Sequence, residues 1–219
     1  AASPKAQAWF WKIWKFTKRA LWIRSNYMLI GHQKQWQFLR RSKELNKLSH
    51  AYLFFGQEKL GKKTLALEFV KLLNCQNPHS TGQACGLCRP CKEIDRRESP
   101  DLLVIEPLEK EIKISQIRDL ERFLSFKPYL SSFKTAIIDK AHCLNQEAQS
   151  AFLKTLEEPR GETILILVSH LPQVLFPTIL SRVQKIRFSP VALVEINDYL
   201  KRMKTPEENI KELVSLSTV

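Results

Sequence analysis

Long apolar runs are missing from this sequence, and glycine, methionine and acid in the first fifth of the chain are scarce. No stretch approaches the roughly 18 apolar residues that a membrane-spanning helix requires, so no such helix is expected. There are five cysteines in 219 residues, and four fall between positions 75 and 91. That is too few and too clustered for a disulfide scaffold. It suits a metal site in a reducing compartment, and a cytoplasmic protein is expected. No Asp or Glu occurs before Glu44, whereas ten Lys or Arg do. The net charge of +13 is therefore misleading. From position 44 onward there are 25 basic and 22 acidic residues, so bulk charge argues only weakly for nucleic-acid binding.

With 44% hydrophobic residues the chain can bury a substantial core. Three segments are expected. Residues 1–27 interleave Trp9, Phe10, Trp11, Trp14, Phe16 and Trp22 with Lys12, Lys15, Lys18, Arg19 and Arg24. Two readings stand for this leader: a basic aromatic helix on an anionic membrane surface, or a non-native segment ahead of a start at Met28. Residues 28–189 read as one α/β domain. Residues 190–219 read as the truncated start of a second unit, with helices over 191–204 and 206–216.

The domain is organised around Gly56-Gln57-Glu58-Lys59-Leu60-Gly61-Lys62-Lys63-Thr64. The apolar run 51–55 leads in and a helical pattern over 65–73 leads out. Strand, glycine-bounded loop and helix are the context of a phosphate-binding P-loop. Glycines let backbone N–H groups turn inward, and the helix N-terminus adds its positive end. Lys62 stands at the phosphate-contacting position. The next residue should carry the hydroxyl that holds Mg²⁺. It is Lys63, and Thr64 lies about 100° further round the helix. The loop is built for phosphate and impaired for magnesium.

Further strands are expected at 102–105, 135–139, 163–169 and 185–188, alternating with helices at 31–48, 115–124, 145–158 and 174–182, with Ser115 as a helix cap. Alternation of this kind means a parallel sheet in an α/β fold. The run 163–169 is apolar throughout, as a strand covered on both faces should be. Cys75, Cys85, Cys88 and Cys91 form a C-x9-C-x2-C-x2-C array. Four converging thiolates suit structural, tetrahedral Zn²⁺ and leave no open position for catalysis. Free thiols in a surface loop and an iron–sulfur cluster are the competing readings. Cys143 stands apart, as a small core residue.

In chain order, His50 to Phe54, the P-loop, the cysteine array, Asp139-Lys140-Ala141-His142, Leu153 to Pro159 and Thr178-Ile179-Leu180-Ser181-Arg182 together resemble the bacterial clamp-loader subunits of the AAA+ class. The resemblance covers the chain from about Met28 onward. It implies an AAA+ P-loop domain with a five-stranded parallel sheet, a zinc-bearing insertion and a small helical lid. It also implies a hetero-oligomer with other loader subunits (a gamma/tau-type ATPase and delta). Through that assembly come the sliding clamp and primed DNA, within a DNA-directed DNA polymerase (nucleotidyltransferase) holoenzyme.

In hydrolysing members of the family an acidic pair follows the third strand. Asp139 matches the first acid. The second position is Lys140, which cannot act as a base at neutral pH. With Lys63 as well, metal and water positioning are both impaired, so no useful ATP hydrolysis and no Mg²⁺ are expected; ATP binding is expected to be weak or absent. Gly56, Gly61, Lys62, Lys63, Thr64, Asp139 and Ser169 make up this degenerate nucleotide site. Ser169 is either a γ-phosphate sensor or a strand-end serine facing solvent. The resemblance gives Arg182 the role of an arginine finger entering a neighbour's ATP site; the competing reading is a surface arginine in a salt bridge. Val183 departs from the family's Ser-Arg-Cys pattern. Lys127, Lys134 and Lys154 are DNA-contact candidates only by proximity. The rival functions are an active gamma/tau-type ATPase and an unrelated zinc-containing P-loop enzyme. Both would call for a hydroxyl at position 63.

Overall fold

The computed structural model describes residues 31–192 and Glu195. The expected leader helix and the helix expected over 206–216 lie outside these residues, as does all of the one expected over 191–204 except positions 191, 192 and 195. In chain order the elements are α1 (Gln33–Glu44), β1 (Ala51–Phe55), α2 (Lys62–Asn74), α3 (Arg89–Arg96), β2 (Leu102–Ile105), α4 (Ile114–Leu124), β3 (Lys134–Ile138), α5 (Gln146–Glu157), β4 (Thr163–Ser169), α6 (Pro177–Leu180) and β5 (Gln184–Arg187). Short 3₁₀ turns at Ala141–Cys143 and Pro172–Val174 precede α5 and α6. The five strands form one sheet in the order β2-β3-β4-β1-β5. Every pairing is parallel.

The sequence places a hydrophobic layer on each face. All seven residues of β4 are buried. Successive side chains alternate in direction. Ile164, Ile166 and Val168 therefore join Tyr52, Phe54, Leu65 and Phe69 in one cluster, under α1 and α2. Leu165 and Leu167 join Leu53, Ile117, Leu120 and Phe152 in the other, under α4 and α5. Sheets with helices on both faces require such two-sided strands.

Three local expectations change. Ser115 does not cap α4, because Ile114 is already helical; instead the Lys113 N–H donates to the Gln116 side-chain oxygen at 3.1 Å. Of the helix expected over 174–182 only the single turn of α6 forms, with Pro177 at its first position, where a missing N–H costs nothing; a 3₁₀ turn ending at Val174 precedes it. Helix α3, unanticipated, starts directly after Cys88 and contains Cys91, and only Pro90, Cys91 and Ile94 of it are buried. Asn145 does cap α5, accepting the Ala148 N–H at 2.9 Å.

Asp101 holds the sheet's outer end together. It is 1% exposed. Its carboxylate accepts the backbone N–H groups of Tyr129, Leu130 and Ser131 at 2.8, 2.8 and 2.9 Å. The buried Lys134 ammonium lies 3.9 Å from it and 4.5 Å from the centre of the Phe123 ring. Lys134 is thus a core lysine, withdrawn from any DNA surface. Removing this carboxylate strands three N–H donors and a buried cation. Asp101→Ala is expected to destabilise the full-length chain by about 3 kcal/mol in urea melts, against well under 1 kcal/mol for Asp119→Ala on the surface.

Candidate functional site

Strands β1, β4 and β3 are neighbours and end together, with Phe55 opposite Ser169 and Ile138 opposite Leu167. The loop after β1, Asp139 after β3 and Ser169 closing β4 therefore meet. A cleft of about 430 Å³ opens there, lined among others by Gly61, Lys62, Lys63, Thr64, Asp139 and Ser169. Of the sequence-derived nucleotide residues only Gly56 lies outside it, in an adjoining cleft of about 440 Å³ next to Phe188. At Gly56 φ is 142°, and a Cβ would come within 2.2 Å of the Phe188 carbonyl oxygen, so no other residue fits while β5 runs past. Gly61 adopts the left-handed region at φ 75° as it opens α2.

Lys62 is buried, and its ammonium donates to the carbonyls of Gly56, at 2.8 Å, and of Gln57. Burial lowers its pKa, while Glu58 and Asp139 oppose that. Lys63 is held differently. Its ammonium pairs with Asp139 Oδ2 at 2.9 Å and with Glu106. Burial pulls its pKa down, but bonds to the two carboxylates outweigh it, and the net shift is upward. Glu106, which comes just after β2, was not foreseen as part of the site. Only the register of β2 against β3 brings it near Lys63, 43 positions away. Lys140 has φ 51°, and its N–H donates to Asp139 Oδ1 at 3.0 Å.

Ser169 is 1% exposed, which overturns the reading of a serine facing solvent. It accepts the Leu171 N–H at 3.1 Å, and its hydroxyl lies 3.4 Å from His142 Nδ1. The His142 and His170 rings meet edge-on at 4.0 Å, and Glu58 reaches His170 Nδ1 at 3.2 Å. Nothing in sequence spacing pairs these two histidines. They meet because β3 and β4 are adjacent.

Arg182 is not part of the cleft. It follows α6, where it pairs with Glu157 at 2.9 Å and donates to the Thr178 carbonyl at 2.9 Å. Lys127 and Lys154 are exposed.

The four clustered cysteines converge. Their sulfurs all lie within 4.8 Å of one another. The Cys75 and Cys88 sulfurs are 4.0 Å apart, close to the roughly 3.8 Å edge of a ZnS₄ tetrahedron with 2.3 Å bonds. Backbone N–H groups of Leu87 and Cys88 point at the Cys85 sulfur, and that of Cys85 at the Cys75 sulfur. Burial raises the Cys85 thiol, yet these N–H groups and the neighbouring thiols outweigh it and bring it to about 6. Burial pushes Cys91 up. Donor set and geometry fit a tetrahedral metal ion, whose own charge would deprotonate all four thiols. Cys143 packs, half-buried, against the core.

A phosphate-loop strand, the strand order found here and a polar cleft at the strand ends define a P-loop domain of the AAA+ class. Two solved folds agree. A DNA polymerase III gamma-subunit-related protein from Thermotoga maritima matches with a TM-score of 0.56 at 24% identity, over 81% of this chain and 57% of that one. The Thermotoga maritima RuvB Holliday junction branch migration motor matches at 0.50 and 16% identity, over 79% of this chain and 50% of that one. The family model described as DNA polymerase III, delta subunit, matches residues 31–192, and the chain belongs to that clamp-loader family. It is 40% identical to the Pseudomonas aeruginosa DNA polymerase III subunit delta' over 174 residues, 77% of this chain and 52% of that protein. It is 34% identical to the Bacillus subtilis delta' over 191 residues, 83% of this chain and 57% of the relative. Identity to the Haemophilus influenzae tau/gamma subunit is 36% over 165 residues, 75% of this chain and 24% of that protein. The chain thus spans about half the length of these delta' relatives.

The site carries a pH dependence. Burial, His170 and Lys140 hold His142 below the usual imidazole value, against Glu58 and Asp139. A depressed imidazole binds fewer protons folded than unfolded. Its contribution to stability is complete above about pH 6.5 and is lost as pH falls through the lower folded value. His142→Gln is expected to flatten the stability curve between pH 7 and pH 5 in urea melts of the full-length chain.

Proposed function

We propose that this chain is a non-hydrolysing subunit of the bacterial replicative clamp loader, of the delta' type, which supplies Arg182 to a neighbouring ATPase subunit. Its partners on this reading are the gamma/tau ATPase and delta, with the sliding clamp and primed DNA engaged through the assembled hetero-oligomer in the cytoplasm. The observation that carries the reading is Lys63, whose ammonium pairs with Asp139 where hydrolysing relatives need a metal-binding hydroxyl. Lys140 at the water-activating position points the same way. Phosphoryl transfer depends on positioned metal and positioned water, and this cleft offers neither.

Arg182 lies outside the chain's own cleft, as a group acting on another subunit's nucleotide must. Its present partner, Glu157, is exposed, so the guanidinium can exchange that carboxylate for a phosphate without leaving a buried charge. Structural Zn²⁺ at Cys75, Cys85, Cys88 and Cys91 fixes a loop that has few apolar residues of its own. The similarity to tau/gamma subunits keeps an active ATPase as the second reading.

The tests are direct. The full-length chain alone is expected to show no ATP turnover above background; steady hydrolysis would favour the tau/gamma reading. In the reconstituted loader with clamp and primed DNA, Arg182→Ala is expected to remove one site's share of turnover, roughly a thousandfold or more within that site, with assembly unchanged. Unaltered turnover would make Arg182 an ordinary surface residue. Elemental analysis is expected to find one zinc per chain, and Cys85→Ser to lower both zinc content and melting temperature.

A further inference from the structure

A metal ion in a P-loop site is held by the loop's hydroxyl and by the acid that follows the third strand. Here the position of that hydroxyl carries an ammonium. Asp139 already contacts it through Oδ2 at 2.9 Å and spends Oδ1 on the Lys140 N–H at 3.0 Å. Glu106, the other carboxylate within reach of Lys63, is bonded to the same ammonium. Both acids are therefore engaged by a charge the chain itself provides.

We propose that the Lys63 ammonium is a built-in counter-cation, so that this cleft takes the phosphate chain of a nucleoside diphosphate or triphosphate free of metal and discriminates against its Mg²⁺ complex. The inference rests on the P-loop being the nucleotide cleft, and not on Arg182. Three features support it. Lys63 retains its charge, since its two carboxylate partners outweigh the effect of burial. About a quarter of its side chain stays exposed, in the same cleft as Gly61 and the Lys62 side chain. The local charge also balances. Lys62, Lys63 and Lys140 against Asp139 and Glu106 leave one positive charge, as one lysine and a divalent ion do against two acids.

An entering phosphate would take over the Lys62 ammonium from the Gly56 and Gln57 carbonyls, a neutral pair of acceptors exchanged for an anionic one. A divalent ion arriving with the phosphate gains no such exchange. It would have to displace a tethered ammonium from two carboxylates and then remain beside it. Lys63 thereby becomes the residue that sets which form of nucleotide is accepted.

The experiment is a titration of the full-length chain with fluorescently labelled ADP, once in excess EDTA and once in Mg²⁺. Inorganic pyrophosphate serves as a competitor, to separate phosphate-chain from nucleoside recognition. Wild type is expected to bind in EDTA, and about tenfold more weakly in Mg²⁺. Lys63→Thr, which restores the hydroxyl and frees Asp139 and Glu106, is expected to reverse the preference. Lys63→Met removes the charge without supplying a ligand, and is expected to weaken binding in both conditions. Thermal melts show that each variant is folded; should Lys63→Thr fail to fold, the wild-type and Lys63→Met titrations still decide. Binding by wild type only in Mg²⁺, or no binding in either condition, overturns the inference. Neither result touches the role in trans, which is read from the partner's turnover.

Discussion

A parallel sheet brings the carboxyl ends of its strands to one edge, and the rest of this molecule's chemistry follows from that constraint. Because β1 lies between β4 and β5, and β4 beside β3, the P-loop, Asp139 and Ser169 have no choice but to meet. Two-sided burial fixes the register. A slip of one residue in β4 would exchange its Ile164-Ile166-Val168 face for its Leu165-Leu167 face. It would also carry Ser169 away from the end of β1.

On that frame, a change of one residue type alters the chemistry without altering the fold. Lysine at position 63 pairs with both Asp139 and Glu106, so each acid already has a cation that the chain itself supplies. A hydroxyl there would leave Asp139 and Glu106 without the ammonium they share. The substitution is thus coupled to its surroundings, and the same coupling explains why Lys63 remains charged although partly buried.

Most of the fold was legible in the sequence because its strongest signals are long and periodic. The run 163–169 is read correctly to the residue, since a strand covered on both faces must be apolar throughout. Helix α3 was hidden, because it is only eight residues long and starts inside the cysteine array, where Cys91 was read as part of a metal-binding loop. Lys134 misled by its charge. Only the three-dimensional contacts with Phe123 and Asp101 reveal it as a core residue. In the site, the P-loop and the cysteine array could be read from spacing, and Asp139 from the family resemblance. Glu106 and the His142–His170 contact could not, because they depend on which strands are neighbours.

Arg182 follows from the same geometry. It is tied to α5 through Glu157 and to α6 through Thr178. Gln149, buried in α5, donates to the Val174 carbonyl and accepts the Phe176 N–H, fixing the turn that leads into α6. The backbone that carries Arg182 is thus set by the packed core, while its guanidinium is partly exposed and its carboxylate partner Glu157 more so. A residue meant to serve its own cleft would point toward the strand ends. The role in trans proposed above would need a firm base and an exchangeable partner, and α5 and α6 with the exposed Glu157 are compatible with that.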